Sequence, residues 1–123
     1  MALSHKEIKM KDKLKKTYNF VGDFIDGIAR VKRGRKWGFI DETGKVIVEP
    51  KYDFVWFFCE GFAEVKVRGE WGFVDKTGKE VVKPKYKEVG YFDGGFAEVI
   101  RPNGKYGKVD ARGNEYFWGE SNA

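Results

Sequence analysis

From residue 18 onward the chain alternates apolar and polar side chains with a period of two, and glycine interrupts the alternation at regular intervals. Ala29 and Val31 alternate with Ile28, Arg30 and Lys32, and further on Ala63, Val65 and Val67 alternate with Phe62, Glu64 and Lys66. Alternation over five or six residues, bounded by turn residues, predicts half-buried β-strands. A turn follows at Arg33-Gly34-Arg35, at Arg68-Gly69 and, one residue longer, at Arg101-Pro102-Asn103-Gly104. The next strand runs over 36–41, with Trp37, Phe39 and Asp41 on one face. It leads into a second turn, where Asp41, Asp75 and Asp110 stand first and Gly44, Gly78 and Gly113 fourth. Aspartate at the first position accepts backbone N–H groups, and glycine at the fourth supplies a positive φ, so a tight hairpin is expected at each. A third strand over 45–49 meets Pro50, where a bend or an edge is expected, repeated at Pro84, because proline donates nothing to a ladder. Residues 52–55 then run extended into the next unit. No segment between strands has helical length or periodicity, so the fold class is all-β.

These elements recur. Lys36–Lys45 reads KWGFIDETGK, Glu70–Lys79 reads EWGFVDKTGK, and Lys105–Asn114 reads KYGKVDARGN, while Gly27, Gly61 and Gly95 open a Gly-aromatic/Ile-Ala-x-Val run at a spacing of 34 residues. A fixed period in this range marks a repeat architecture. Tyr18-Asn19-Phe20-Val21 matches residues 52–55 and 86–89, so the repeat region covers 18–123 and holds about three units in a permuted frame. A short open solenoid or twisted sheet stack is expected. The alternative is a small closed barrel or propeller-like ring, in which the first and last strands complete one shared unit.

The combination of aromatic-Gly-x-Ile/Val-Asp-x-x-Gly with a preceding Gly-Phe-Ala-x-Val and a following Pro-Lys-Tyr resembles the WG-repeat family, also called KWG repeats, which is common in bacterial proteins. The third copy departs from the pattern, with Tyr106 for Trp and Lys108 for Phe, as end repeats often do. The resemblance implies a β-rich scaffold that serves as an interaction module, and it brings no catalytic residue with it.

Composition changes this picture little. Aromatic residues make up 17% of the 123 residues and charged residues 35%, a soluble globular profile. The formal charge of +5 suggests a polyanion until it is mapped. Residues 1–17 carry six lysines against Glu7 and Asp12, whereas 18–123 are nearly balanced. The surplus therefore belongs to a basic leader (1–17), expected as a short helix with Leu3, Met10 and Leu14 on one face or as a solvated tail. No run is long enough to span a membrane and no signal-peptide pattern is present, so a cytoplasmic location is expected. The single Cys59 fits a reducing compartment.

Chemistry is scarce. His5 is the only histidine and Ser4 and Ser121 the only serines, all near the ends of the chain, so no nucleophile–base pair is expected. Metal-ligand spacing and phosphate-cradling glycines are absent, and the three turn aspartates are explained by their turns. The chain is read as no enzyme, with no cofactor. Binding leaves a clearer trace, in residues that the repeat does not require. Trp56 stands where the other copies have Gly22 and Gly90, Phe57 where they have Asp23 and Tyr91, and Trp118 where they have Glu49 and Lys83. Trp and Tyr are favoured interface anchors, which makes Trp56, Phe57, Tyr91 and Trp118 candidates for partner binding. Trp37, Trp71, Tyr106, Phe62 and Phe96 recur and are expected in the core. A second candidate group is basic: Arg30, Lys32, Arg33, Arg35 and Lys36 at the first hairpin. The expectation is a protein–protein interaction module, such as an inhibitor, immunity or adaptor protein, with an unidentified protein partner. Alternatives are a nucleic-acid-binding accessory protein using the leader and first hairpin, and a self-assembling structural repeat.

Overall fold

A computed structural model describes residues 4–120. The chain is all-β apart from one helix, α1 (His5–Thr17), and its strands form three antiparallel sheets of four strands each. Sheet 1 contains β1 (Phe20–Val21), β2 (Ile28–Arg33), β3 (Lys36–Asp41) and β4 (Val46–Tyr52). Sheet 2 contains β5 (Phe54–Cys59), β6 (Phe62–Val67), β7 (Glu70–Asp75) and β8 (Glu80–Tyr86). Sheet 3 contains β9 (Glu88–Val89), β10 (Phe96–Ile100), β11 (Lys105–Asp110) and β12 (Glu115–Glu120). Each sheet is a meander in chain order and none closes on itself. β1 and β12 belong to different sheets, so the shared unit expected of a closed ring is not formed. The contacts group the chain into two compact units, 1–52 and 53–123. Among the described residues no helix is long and apolar enough to cross a membrane.

The sheets keep the expected permuted frame, but the number of strands in each unit differs from the expectation. Each sheet holds one whole period and four strands rather than three, because the extended stretch at 52–55 splits into the end of β4 and the start of β5. The bend expected at the prolines takes the form of a bulge within the strand. Pro50 lies inside β4 and Pro84 inside β8. The ladder pairs Phe39 with Val48 and Trp37 with Tyr52, so one residue of β3 spans the same distance as three of β4. Pro50 falls in this bulge, where an N–H has no ladder partner to lose. Sheet 2 repeats the geometry, pairing Phe73 with Val82 and Trp71 with Tyr86.

Opposite the bulge stands the glycine of the Trp-Gly pair. A Cβ on Gly38 would lie 2.2 Å from the Val48 carbonyl oxygen and 2.8 Å from the Pro50 nitrogen, and one on Gly72 would lie 2.4 Å from the Val82 oxygen. At Gly107 the nearest atom would be the Tyr116 oxygen at 2.2 Å. Only glycine lets the two backbones approach this closely. The turn aspartates perform as their position requires. Asp41 Oδ1 accepts from Thr43 N at 2.9 Å, Thr43 Oγ1 at 2.6 Å and Lys45 N at 3.0 Å, and Asp75 repeats the set with Thr77 and Lys79.

Two cores show how a repeat is covered. In the second unit, Ala97, Val99 and Val109 of sheet 3 pack with Phe92 onto Phe73, Val82 and Tyr86 of sheet 2. In the first unit, Ala29, Val31 and Ile40 of sheet 1 pack with Leu14 and Tyr18. Ala29 and Val31 precede Ala97 and Val99 by two periods, and Leu14 and Tyr18 precede Val82 and Tyr86 by the same distance. Leu14 of the helix and Tyr18 just after it therefore cover sheet 1 from the periodic positions of a strand, doing the work of a preceding repeat. Met10 joins Leu14 on this face as expected from its spacing; Leu3 lies outside the described residues. The lysines of α1 point to solvent.

Two substitutions test these contacts by chemical denaturation. Gly72→Ala forces a Cβ into backbone rather than a movable side chain, and is expected to cost about 3 kcal/mol or more. Leu14→Ala is expected to cost about 2–4 kcal/mol, as for a core leucine. A cost near zero for Leu14→Ala, as for a solvated tail, would contradict the capping role of α1.

Candidate interaction surface

The two faces of a sheet have different neighbours. One face carries the small residues of the Ala-x-Val run; the other carries the aromatic of the Trp-Gly pair and the residues paired with it. In sheet 2 this second face includes Phe62 and Phe73, which pack on the Phe92 ring at centroid distances of 4.4 and 4.7 Å beneath sheet 3. In sheet 3 the corresponding face carries Phe96 and Lys108 in place of Phe62 and Phe73, together with Tyr106, Tyr116 and Trp118. These four rings are all exposed, Trp118 the most at 54%.

A change of register brings the last of these rings to the surface. In β12 Lys108 pairs with Tyr116 and Gly107 with Phe117, whereas in β8 it is Val82 that pairs with Phe73. A one-residue slip turns side chains to the opposite face. Phe117 accordingly turns inward to the core, while Tyr116 and Trp118 turn outward. Tyr106 and Trp118 meet edge-to-face at 6.0 Å, and so do Phe96 and Tyr116. The Lys108 Nζ stands 4.0 Å above the Phe96 ring.

Two adjoining clefts open on this face. One, of about 550 Å³, is lined among others by Tyr91, Phe96, Glu98, Lys108 and Trp118. The other, of about 260 Å³, is lined by Glu88, Glu98, Ile100, Tyr106 and Trp118. Glu98 and Trp118 belong to both, so the clefts form one groove along the sheet.

Of the sequence candidates, Trp118 and Tyr91 share this groove, and Tyr91 is 65% exposed. Trp56 and Phe57 lie in a bulge of β5 between Val55 and Phe58 and meet each other edge-to-face at 5.2 Å. Both are exposed, and Trp56 continues through Phe54 toward Trp71. Arg30 and Lys32 stand over the Trp37 ring at 5.0 and 5.5 Å, and Arg33 reaches Glu49 at 3.5 Å. Arg35 and Lys36 are exposed at the hairpin tip. Burial lowers the Arg30 pKa. Phe96 and Tyr106 correct an expectation: both recur in the repeat, yet no further sheet of the described chain covers their face, so they are exposed rather than core. Tyr116, Glu88 and Glu98 escaped sequence reasoning. Comparing the third copy with the first two, position by position, would have found Tyr116 and Glu88, whereas Glu98 repeats Glu64 and gives no such signal.

Electrostatics tie β12 to its neighbours. Glu115 accepts from Tyr86 Oη at 2.6 Å and from Arg101 Nε at 3.1 Å, with Lys85 Nζ 3.6 Å away. Desolvation alone would raise the Glu115 pKa, but the bonds from Arg101 and Tyr86 and the charge of Lys85 outweigh it and hold the group below its ordinary value. Desolvation of the phenol, then its bond to Glu115, raises Tyr86. Asp110 likewise overcomes desolvation through bonds from Asn114, Arg112 and Tyr116, which bring its pKa down to about 2. Cys59 Sγ points at the Phe92 carbonyl oxygen at 3.7 Å, a packing role. No group of three or more possible metal ligands occurs among the described residues.

The family model for the WG containing repeat matches residues 14–37, 37–71 and 71–106 in tandem. The chain belongs to the WG-repeat family. The first match begins at Leu14, so the end of α1 counts as part of a WG repeat, in agreement with its packing on sheet 1. No curated protein and no solved structure matches the chain.

The Glu115 network has a pH signature of defined sign. A carboxylate whose pKa is depressed on folding contributes stability above its unfolded value of ~4.3, and that contribution is lost as pH falls through the lower folded value. Glu115→Gln is expected to lower the melting temperature at pH 7 and to flatten its decline between about pH 5 and pH 3. An equally steep acid decline in the variant would contradict the network's role.

Proposed function

We propose that this WG-repeat chain is a non-catalytic protein-interaction module of the cytoplasm, and that it engages its partner through the open face of sheet 3. One observation carries the reading. The face of sheet 2 that seats the next repeat has its counterpart in sheet 3, where four exposed rings replace a covered core. Exposed apolar clusters with a polar rim mark interaction sites, and aromatic side chains provide large contact area with few torsions to fix. The repeat supplies a rigid support, since the rings stand on strands and not on loops. An adaptor or inhibitor role fits a small module with one such face.

The nucleic-acid alternative draws less support. Arg30, Lys32 and Arg33 already have ring or carboxylate neighbours, and the six-lysine segment is largely the solvent side of a capping helix.

The test is partner capture by wild type, by Trp118→Ala and by Trp56→Ala, each checked for an unchanged melting temperature. A discrete protein that survives nuclease treatment and moderate salt is expected to be lost with Trp118→Ala and kept with Trp56→Ala. Capture of nucleic acid by all three forms, released steeply by salt as phosphate contacts are, would overturn the proposal.

A further inference from the structure

The aromatic of the Trp-Gly pair has a resident cation in sheets 1 and 2. Lys32 Nζ stands 5.5 Å over Trp37 and Lys66 Nζ stands 5.4 Å over Trp71. The same rings have a phenylalanine at their edge, Phe20 at 5.5 Å and Phe54 at 6.2 Å. These four neighbours occupy two repeat positions. In sheet 3 the first position holds Ile100 and the second Glu88, and the two pair directly across β9 and β10. Arg30 and Glu64 have Glu98 as their counterpart. The third unit thus keeps the ring as Tyr106, removes its lysine and adds Glu88 to Glu98, a carboxylate that the second unit already carries as Glu64. Among the described residues no cation stands over Tyr106, and the side-chain carboxylates of Glu88 and Glu98 have no hydrogen-bonding or ion-pair partner. Both carboxylates are exposed, and both line the cleft that Tyr106 and Trp118 wall.

We infer that this groove receives a cationic side chain, lysine or arginine, of a partner peptide, held over Tyr106 and Trp118 and flanked by Glu88 and Glu98. The inference rests on the interaction-module reading above and names the chemistry of its partner. A cation is attracted to an aromatic face, and the repeat itself uses this contact twice. Carboxylates at the rim add charge complementarity that a phenylalanine and a lysine do not provide. Lys108 does not fill the role, because it stands over Phe96 at the other end of the groove. The chain as a whole is positively charged, with a formal charge of +5, so non-specific attraction does not explain a cationic guest.

The experiment is a 1H–15N NMR titration of the full chain with a blocked heptapeptide alternating glycine and arginine. Its analogue with citrulline, which has nearly the same shape but no charge, serves as the comparison. The arginine peptide is expected to shift the Trp118 indole and the amides of 88, 98–100 and 106–107, and the citrulline peptide to leave them in place. Glu88→Gln with Glu98→Gln is expected to weaken binding about tenfold, each substitution contributing about threefold, with the rest of the spectrum unchanged. Equal binding of both peptides, shifts centred elsewhere, or an unaffected double variant would overturn the assignment. Concentration-dependent shifts at the same amides without peptide, abolished by the double variant, would place the lysine-rich helix of a second copy in the groove and would overturn it too. If Trp118→Ala still abolishes partner capture while the arginine peptide fails to bind, the cationic assignment falls and the interaction face stands. If the peptide binds as described while capture is indifferent to Trp118, the cation site stands and the proposed partner face falls.

Discussion

The approach of two backbones at the Trp-Gly glycine is the constraint on which the rest of each repeat depends. Gly38, Gly72 and Gly107 each stand where a single methyl group would enter a carbonyl oxygen of the next strand. Because that contact is closed, the last strand must bulge past it, and the bulge determines which of its residues face which side. In β4 and β8 the bulge spans three residues, absorbs a proline and leaves Val48 or Val82 paired with the repeat's phenylalanine. In β12 the irregularity is a single one, between Tyr106 and Gly107, and the strand slips. The same glycine thus supports two outcomes, a covering face in sheet 2 and an open ring-lined face in sheet 3.

The N-terminal end meets the same requirement by a different route. A sheet whose Ala-x-Val face is apolar must have something packed on it. Sheet 3 packs on sheet 2, whereas sheet 1 receives a helix, with Leu14 and Tyr18 in the periodic places of a strand's valine and tyrosine. A helix advances 1.5 Å per residue against ~3.3 Å for a strand. The equivalence therefore belongs to the contacts made and not to the path of the chain. The solvent side of α1 is free to carry lysines, which give the chain its basic surplus. That surplus is accordingly a property of a cap, and it says little about a polyanion partner.

Much of this was legible because the repeat writes local signals three times. The hairpins, the Asp-x-x-Gly turns and the strands around Ala29, Ala63 and Ala97 follow from patterns confined to a few residues. What escaped depends on pairing at a distance. The recurrence of 18–21 at 86–89 marks β1 and β9 as extended, but their length of two residues is set by pairing with β2 and β10, at Val31 and Val99 among others. Pro50 reads locally as a bend or an edge, and only the ladder on both sides shows it inside a bulge. The same limit affects the site. Trp118 and Tyr91 stand out because they depart from the repeat. Phe96 and Tyr106 conform to it, which predicts burial, and only the open face of sheet 3 reverses that expectation.

The third copy's departures also share a direction, and this makes them more than the erosion of an end repeat. Loss of a covering neighbour would be met by any polar replacement, and Lys108 for phenylalanine is one. Yet the rings at Tyr106, Tyr116 and Trp118 are kept or added, while Phe20 and Phe54 give way to Glu88, and Lys32 and Lys66 to Ile100. A surface relieved only of its hydrophobicity would lose its aromatics first, since exposed rings carry an association risk. Here rings are retained while the charge beside them runs from basic in sheet 1 (Arg30, Lys32) through balanced in sheet 2 (Glu64, Lys66) to acidic in sheet 3 (Glu88, Glu98). Repeat geometry keeps β10 and β11 in the places of β6 and β7, the slipped register of β12 turns Tyr116 and Trp118 outward, and the side chains so placed compose a groove of rings and carboxylates where the other copies supply their own cation.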